Sequence, residues 1–243
     1  MLKYLRKPLD DCFERVSRAG EHLADLEREI RDSIHAQIDD FIIEHEVNPL
    51  RFPFPYLVKA RRGNETHFGM RIPILIGEIA YNLKSALDYL VYKLARLDSG
   101  SEQEGTQFPI VSAQKDWPSN VRRRLKGLND PHIARIEGLQ PYNGIDWTGR
   151  LRDINNPDKH RHLTVTQGDY VFDVHSSLNR DLSEIVSGYE RSAPHPTGNH
   201  HPVKVKVYFK GEVTFRKGPP VIDTIKQLKL SVAQTLRDFE PDF

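Results

Sequence analysis

The sequence is poor in cysteine and has no excess of charge of either sign. Cys12 is the single cysteine among 243 residues, so no disulfide bond can form within the chain. A chain without disulfides fits a reducing compartment such as the cytoplasm. The 35 Lys and Arg residues nearly balance the 34 Asp and Glu residues, giving a net charge of +1. This balance excludes a general attraction of the whole surface to nucleic acid and leaves local basic patches, of which RRRLK at 122–126 is the densest.

Long hydrophobic runs are also missing. The most apolar window, IPILIGEIAYNL, is interrupted by Glu78 and Asn82, and it is far shorter than the roughly 20 apolar residues of a membrane helix. The start, MLKYLRKPLDD, has no apolar stretch that would suit a signal peptide. We therefore expect a cytoplasmic protein that has no membrane partner.

Several motifs of catalysis and cofactor binding are absent. The sequence has no phosphate-binding glycine loop, no G-x-S-x-G, no H-E-x-x-H and no paired CxxC. We therefore expect neither a cofactor nor a metal ion.

The spacing of the apolar residues predicts the secondary structure. Steps of three and four predict long helices over 9–45, 73–97 and 221–239, and shorter ones over 130–138 and 146–155. Alternating patterns around turn residues predict β-hairpins over 50–72 and 203–217, with further strands from 163. Together these elements predict one α+β domain over 1–243, in which a long N-terminal amphipathic helix packs on a helical core (about 9–160). Strands and a final helix follow (about 163–239), and the antiparallel hairpins form a small sheet.

The first predicted helix has an apolar stripe along its whole length, which needs a partner surface. Either other helices of the chain or a second copy of the protein can cover such a stripe. A homodimer formed through this helix is therefore one expected partnership.

The helix predicted over 73–97 has an unusual second face. At 100° per residue, Glu78, Asn82, Ser85 and Tyr89 line up. They are flanked by three further polar or aromatic residues, Tyr81, Asp88 and Tyr92. A solvated face normally carries Lys, Glu and Arg, so this one is either a half-buried packing surface, which we favour, or a ligand surface.

The stretch NPDKHRHL contains the densest cluster of titratable side chains. In one interpretation Asn156 caps a new helix, and Asp158 stabilises its N-terminus. If the stretch is extended instead, Asp158, His160 and His162 share one side and could bind a metal ion. In a third interpretation, histidine acts as an acid or base beside cations that hold a phosphate. Arg152, just upstream, would join that site.

A family resemblance rests on IGEIAYNLKSALDYLVYKLA, TQFPI, LQPY and NNPDKHRHL. These stretches, over about residues 70 to 165, resemble a family of uncharacterised bacterial proteins with N-L-[RK]-S-A-L-D-[HY]-L and a later D-K-H-R. The usual R-S-A-L-D-H form matches the arginine-x4–6-histidine signature of HEPN, a helical superfamily of nucleotide-binding proteins and RNases. That more distant resemblance implies metal-independent RNA cleavage.

This sequence departs from the HEPN signature at both of its ends. Lys84 stands at the arginine position, where it keeps the charge but loses the bidentate fork. Tyr89 stands at the histidine position and is a poor general base at neutral pH. His160 and Arg161 would supply the missing groups if the two segments meet in space.

The expected function is RNA binding or RNase-like processing, with RNA or a nucleotide as the partner. The alternatives are a small-molecule or nucleotide-binding module and a non-enzymatic helical scaffold, and whether the protein is an enzyme stays open. The expected catalytic residues are His160, Arg161, Asp158 and Lys84. The expected binding residues are Asn82, Asp88, Tyr89, Lys159, Asn156 and Arg152.

Overall fold

The structure is a computed structural model in which part of the chain is described. The described residues are 7–36, 41–47, 56–62, 69–160, 165–166, 170–174, 187–193, 203–211, 213–215 and 218–243. Side chains are described for 7–33, 36, 69–155, 213, 215 and 218–243.

Six α-helices occur in the described residues. They are α1 (Asp10–Ala36), α2 (Arg71–Ser99), α3 (Trp117–Arg124), α4 (Asp130–Gly138), α5 (Asp146–His160) and α6 (Val221–Phe239). Single 3-10 turns span Gln114–Asp116, Pro141–Asn143 and Glu240–Asp242. The predicted helices over 73–97 and 221–239 are confirmed as α2 and α6.

Seven strands are described by their backbone. They are β1 (Phe41–Val47), β2 (Tyr56–Arg62), β3 (Val165–Thr166), β4 (Tyr170–Val174), β5 (Ser187–Ala193), β6 (Val203–Gly211) and β7 (Thr214–Phe215). All pairs are antiparallel: β1 with β2, β3 with β7, and β6 with both β4 and β5.

The chain divides into two compact units. Unit 1 contains Met1–Leu26, Pro73–Thr164 and Ile222–Phe243, and therefore most of the helical residues. Unit 2 contains Glu27–Ile72 and Val165–Val221, which include all seven strands. The expected single domain over 1–243 stays a prediction.

The predicted α+β class is wrong for the residues whose side chains are described. That part of the chain is 76% helix and 1% strand, and it contains no sheet. Nor do the strands form the one small sheet that we expected, because their backbones pair in three separate sets. The alternating sequence patterns indicate strands, but they contain no information on which strand pairs with which.

The first predicted helix is too long, and the first predicted hairpin is displaced along the chain. α1 ends at Ala36, and Phe41–Val47 forms β1, which pairs with β2 from Phe41 opposite Arg62 to Val47 opposite Tyr56. The run FII is β-branched and aromatic, so it suits a strand as well as a helix. The end of the hairpin predicted over 50–72 also fails, because Arg71 and Ile72 belong to α2.

The predicted C-terminal hairpin is wrong as well. β6 pairs with β4 and β5, while β7 pairs with β3. β6 has nine residues and β7 has two, so longer partners offer β6 many more ladder hydrogen bonds than the adjacent segment does.

The core of unit 1 is built around α2. Buried apolar residues recur along it at the spacing of one helical face, including Ile79, Leu83, Leu87, Leu90 and Leu94. Burying each such side chain contributes about 1.5–3 kcal/mol.

Two further helices complete this core with buried apolar stripes of their own. On α1 the stripe consists of Cys12, Val16, Ala19, Leu23 and Leu26, and on α6 of Ile225, Leu228, Val232 and Leu236. The described part of the α1 stripe is buried within one chain, and a homodimer formed through this helix stays a prediction. Among the described helices, none combines the length and apolar character needed to cross a membrane.

Candidate functional site

One side of α2 is bordered by α1. The Arg15 guanidinium donates hydrogen bonds to the Asn82 Oδ1 atom (3.3 Å) and to the Tyr89 hydroxyl (3.1 Å). Two turns beyond Arg15 on α1 and one turn before Asn82 on α2, His22 lies 3.4 Å from the Glu78 carboxylate. At the other end, Lys93 forms an ion pair of 3.0 Å with Asp11 of α1. These contacts place α1 along the edge of α2 that carries Glu78, Asn82 and Lys93, from which Arg15 reaches the neighbouring Tyr89.

The opposite edge of α2 is bordered by the segment that leads into α3. The Asp88 Oδ1 atom accepts a hydrogen bond of 2.8 Å from the Phe108 backbone N–H and also pairs with Lys84 one turn earlier. The backbone N–H of Gln107 donates to the Arg124 carbonyl at 3.1 Å. Residues 106–108 therefore connect α2 directly to the last turn of α3.

Four residues of α2 lie between these two borders and form what we call the tyrosine strip. The strip consists of Tyr81, Ser85, Tyr89 and Tyr92. At 100° per residue these positions cover about 80° of the helix surface. Tyr81 is 50% exposed and Tyr89 is 37% exposed. Large exposed aromatic side chains on a helix whose opposite face is fully buried form a surface that can contact a ligand.

Arg15 is a member of this site that sequence reasoning missed. Its guanidinium lies 5.3 Å from the centre of the Tyr89 ring, which is within cation–π range. Nothing in the local sequence of α1 distinguishes Arg15 from the other cations there. Only the packing of α1 against α2 selects it.

Asn82 is placed where we expected, but its side chain is engaged in packing. Its Nδ2 group donates to the Glu78 carbonyl at 2.8 Å, and its Oδ1 atom accepts from Arg15. The residue is buried. The Asn82 amide therefore links α1 to α2. At this residue the face serves helix packing and not ligand binding.

Lys84 and Asp88 form a partly buried ion pair within α2. The side chain of Lys84 is 14% exposed and that of Asp88 is 29% exposed. Within this pair each charge compensates the other. Asp88 also accepts the Phe108 N–H and thereby fixes the start of the segment 108–111 against α2.

The basic run at 122–126 lies at the C-terminal end of α3. Arg122, Arg123 and Lys126 are exposed, and within the described part of the chain no acidic side chain forms an ion pair with any of them. Burial lowers the pKa of Arg124, and the neighbouring Arg123 lowers it further, while the charge of Asp88 raises it. The basic run is thus close enough to α2 for its charge to act on Asp88.

The NPDKH cluster belongs to the end of α5. Asn156, Asp158, Lys159 and His160 are all within the helix Asp146–His160. Asn156 therefore does not begin a helix, and the stretch up to His160 is not extended. On a helix, Asp158 and His160 are two positions apart and fall on different faces, so the metal interpretation that required alternation is wrong in its geometry.

Arg152, Asn156, Lys159 and His160 share a face of α5 by register, since they are spaced at i, i+4, i+7 and i+8. Arg152 itself donates to the Asp153 carboxylate at 2.7 and 2.8 Å and to the Ser112 hydroxyl. Arg161 lies outside the described residues, as does the side chain of His160. The meeting of this cluster with Lys84 and Tyr89 stays a prediction.

A second titratable cluster, which sequence reasoning missed, surrounds His132 on α4. Its Nδ1 atom lies 2.7 Å from Asp98 at the end of α2, and its Nε2 atom lies 3.6 Å from Asp242 near the C-terminus. Asp98 also accepts the N–H of Asn129, whose side chain caps α4 by accepting from the His132 N–H. The cap of α4 is therefore Asn129, the residue directly before the helix predicted over 130–138.

In the residues that the structure describes, no three His, Cys, Asp or Glu side chains are grouped as a metal ion would require. No protein-family model, curated protein or solved structure matches the chain.

Proposed function

We propose that the protein binds RNA through the basic run at 122–126, beside the tyrosine strip of α2. The observation that carries this proposal is the set of exposed cations, Arg122, Arg123 and Lys126, that have no acidic partner among the described side chains. Cations of this kind release counterions when they bind nucleic-acid phosphates, which supplies most of the affinity of sequence-independent binding.

The helix dipole offers another explanation, besides RNA binding, for the cations at the C-terminal end of α3. It favours positive side chains in the last turn by about 0.3–1 kcal/mol each. That effect accounts for the cations of α3, which ends at Arg124. It does not account for Lys126, which follows the helix and extends the basic surface.

Binding is better supported than cleavage at α2. Lys84, the residue at the signature arginine position, is committed to Asp88, and Tyr89 accepts a hydrogen bond from Arg15. The catalytic roles of His160, Arg161, Asp158 and Lys84, the relation to the uncharacterised bacterial family and the cytoplasmic location all stay proposals. A nucleotide pocket built on Asn82 has less support, because both polar groups of that amide are already used.

The test is the salt dependence of RNA binding, measured by fluorescence anisotropy with a labelled RNA of about 30 nucleotides. The double variant Arg122→Gln/Arg123→Gln should lose about tenfold in affinity. Its log–log salt slope should be shallower by about 1.4, because each lost single-strand phosphate contact contributes about 0.7. The matched control, Arg150→Gln/Arg237→Gln, removes two other exposed cations and should bind as the wild type does. No binding by the wild type, or equal losses in both variants, would overturn the proposal.

A cleavage assay separates binding from catalysis. Mixed RNA is incubated with the wild type and with His160→Ala, with and without a chelator. Cleavage that persists with the chelator and is lost only in the variant would assign catalysis to His160. If neither protein cleaves RNA, the RNase-like part of the proposal is removed.

A further inference from the structure

The tyrosine strip presents exposed rings on a rigid element. α2 has 29 residues and a fully buried inner face, so the positions of its side chains are fixed by the core. Its outward tyrosines are bordered by α1 on one edge and by residues 106–108 on the other. A ligand on the tyrosine strip would therefore be flanked by α1 on one side and by residues 106–108 on the other.

The spacing of the rings suits separate bases of an extended strand. At 1.5 Å per residue, Tyr81 and Tyr89 are about 12 Å apart along the axis of α2, and Tyr89 and Tyr92 about 4.5 Å apart. Unpaired bases can turn outward and stack on aromatic side chains, whereas the bases of an A-form duplex are stacked on each other.

The charges around the strip favour a polyanion. Arg15 lies beside Tyr89, and on the other border Arg124 is joined to Asp88 through the backbone contacts of Gln107 and Phe108. Of the carboxylates on the borders, Asp88 is paired with Lys84 and Asp11 with Lys93, and the Glu78 carboxylate lies 3.4 Å from His22. A phosphate backbone can therefore follow the basic run while its bases face the tyrosines.

We infer that the tyrosine strip is a stacking surface for unpaired bases, so that the ligand class is single-stranded rather than duplex RNA. This inference rests on the proposed RNA binding. It assigns a separate role to each part of the surface. The basic run binds phosphates of any RNA, and the strip selects single strands.

The test compares a labelled 12-nucleotide single strand with a duplex of the same length. Tyr81→Ala/Tyr89→Ala should weaken binding of the single strand by about 30-fold or more, since each of the two stacked bases contributes about 1–3 kcal/mol. Binding of the duplex should be unchanged. Tyr81→Phe/Tyr89→Phe keeps the rings and should bind the single strand within about twofold of the wild type. Thermal melting of each variant separates lost stacking from lost folding.

The outcomes distinguish this inference from the proposed function. If Arg122→Gln/Arg123→Gln weakens binding and the double alanine variant does not, the protein binds RNA but the stacking surface is refuted. Equal affinity of the wild type for duplex and single strand would also refute it. If the wild type binds neither RNA, the proposed function fails and this inference fails with it.

Discussion

At the scale of single residues, Asp88 of α2 shows how a residue expected to bind a ligand is used for structure. Its carboxylate accepts the N–H of Phe108 and pairs with Lys84. Asp88→Ala should lower the free energy of unfolding by about 2–3 kcal/mol, because it removes the acceptor of a backbone N–H and breaks a partly buried ion pair. Urea denaturation measures the loss. Asp88→Asn keeps an acceptor for Phe108 and should lose less, and equal losses in both variants would contradict this account.

His132 is a second residue whose role is set by tertiary contacts. It joins the end of α2 to the C-terminal turn through Asp98 and Asp242. His132→Ala should destabilise the protein by about 1–3 kcal/mol, because the mostly buried Asp98 carboxylate loses one of its hydrogen-bond partners and keeps only Asn129. Asp242→Ala should cost less, because Asp242 is more exposed and its contact with His132 is longer. Denaturation curves that show the opposite order would contradict this assignment.

At the scale of elements, two glycines are expected to respond oppositely to alanine. Gly20 lies within α1, where an added Cβ atom would meet only the flexible end of Lys229, at 2.8 Å. Gly20→Ala should stabilise the protein by about 0.5–1 kcal/mol, because alanine is the better helix former and the lysine can move.

Gly127, which follows the basic run, has a φ of +80°, and a Cβ atom there would lie 2.7 Å from Gln103 and 3.3 Å from the Ala95 carbonyl. Gly127→Ala should cost about 1–2 kcal/mol, because side chains rarely adopt this conformation. Paired urea denaturation of the two variants tests both signs, and two changes of the same sign would contradict the packing described here.

Helices were more predictable from the sequence than strand pairing. α2 and α6 were found from apolar spacing alone, because their hydrogen bonds are local and their buried faces are continuous. The end of α1 and the partners of β6 were missed, because FIIEHEV and VKVKVYF fit more than one arrangement. Strand pairing depends on which distant segment is available, and no local pattern contains that information.

At the scale of the whole molecule, Cys12 reports on the opening of unit 1. Burial raises the pKa of its thiol to about 12, with a further contribution from Asp11. The native thiol should therefore stay protonated and react slowly with iodoacetamide at pH 8, since the thiolate is the nucleophile. As denaturant is added, labelling of Cys12 should become fast in parallel with the unfolding measured by circular dichroism. Fast labelling of the native protein would show that this core opens locally.

The raised pKa of Cys12 also predicts how the stability of the protein changes at alkaline pH. The folded pKa lies above the ordinary value of 9.0, so unfolding lets the thiol lose its proton between about pH 9 and 12. This contribution to stability is complete below pH 9 and is lost as the pH rises through that window. Cys12→Ser should show a smaller loss of stability over this range.

The candidate site was predictable only in part, because it combines distant segments. The unusual face of α2 was visible from its tyrosines and amide, and the basic run from its composition. Arg15 joins the site through the packing of α1, and the connection of the basic run to Asp88 passes through Phe108 and Gln107. Neither contact follows from sequence spacing, because each joins residues more than 15 positions apart.

The most direct measurement of the central claim is to locate RNA on the chain. Ultraviolet crosslinking to a single-stranded RNA, followed by mass spectrometry of the attached peptides, reports which residues touch the bases. We expect the crosslinks at Tyr81, Tyr89 or Tyr92 and in the peptides around 122–126. Crosslinks confined to residues 165–217, with α2 unlabelled, would contradict the account.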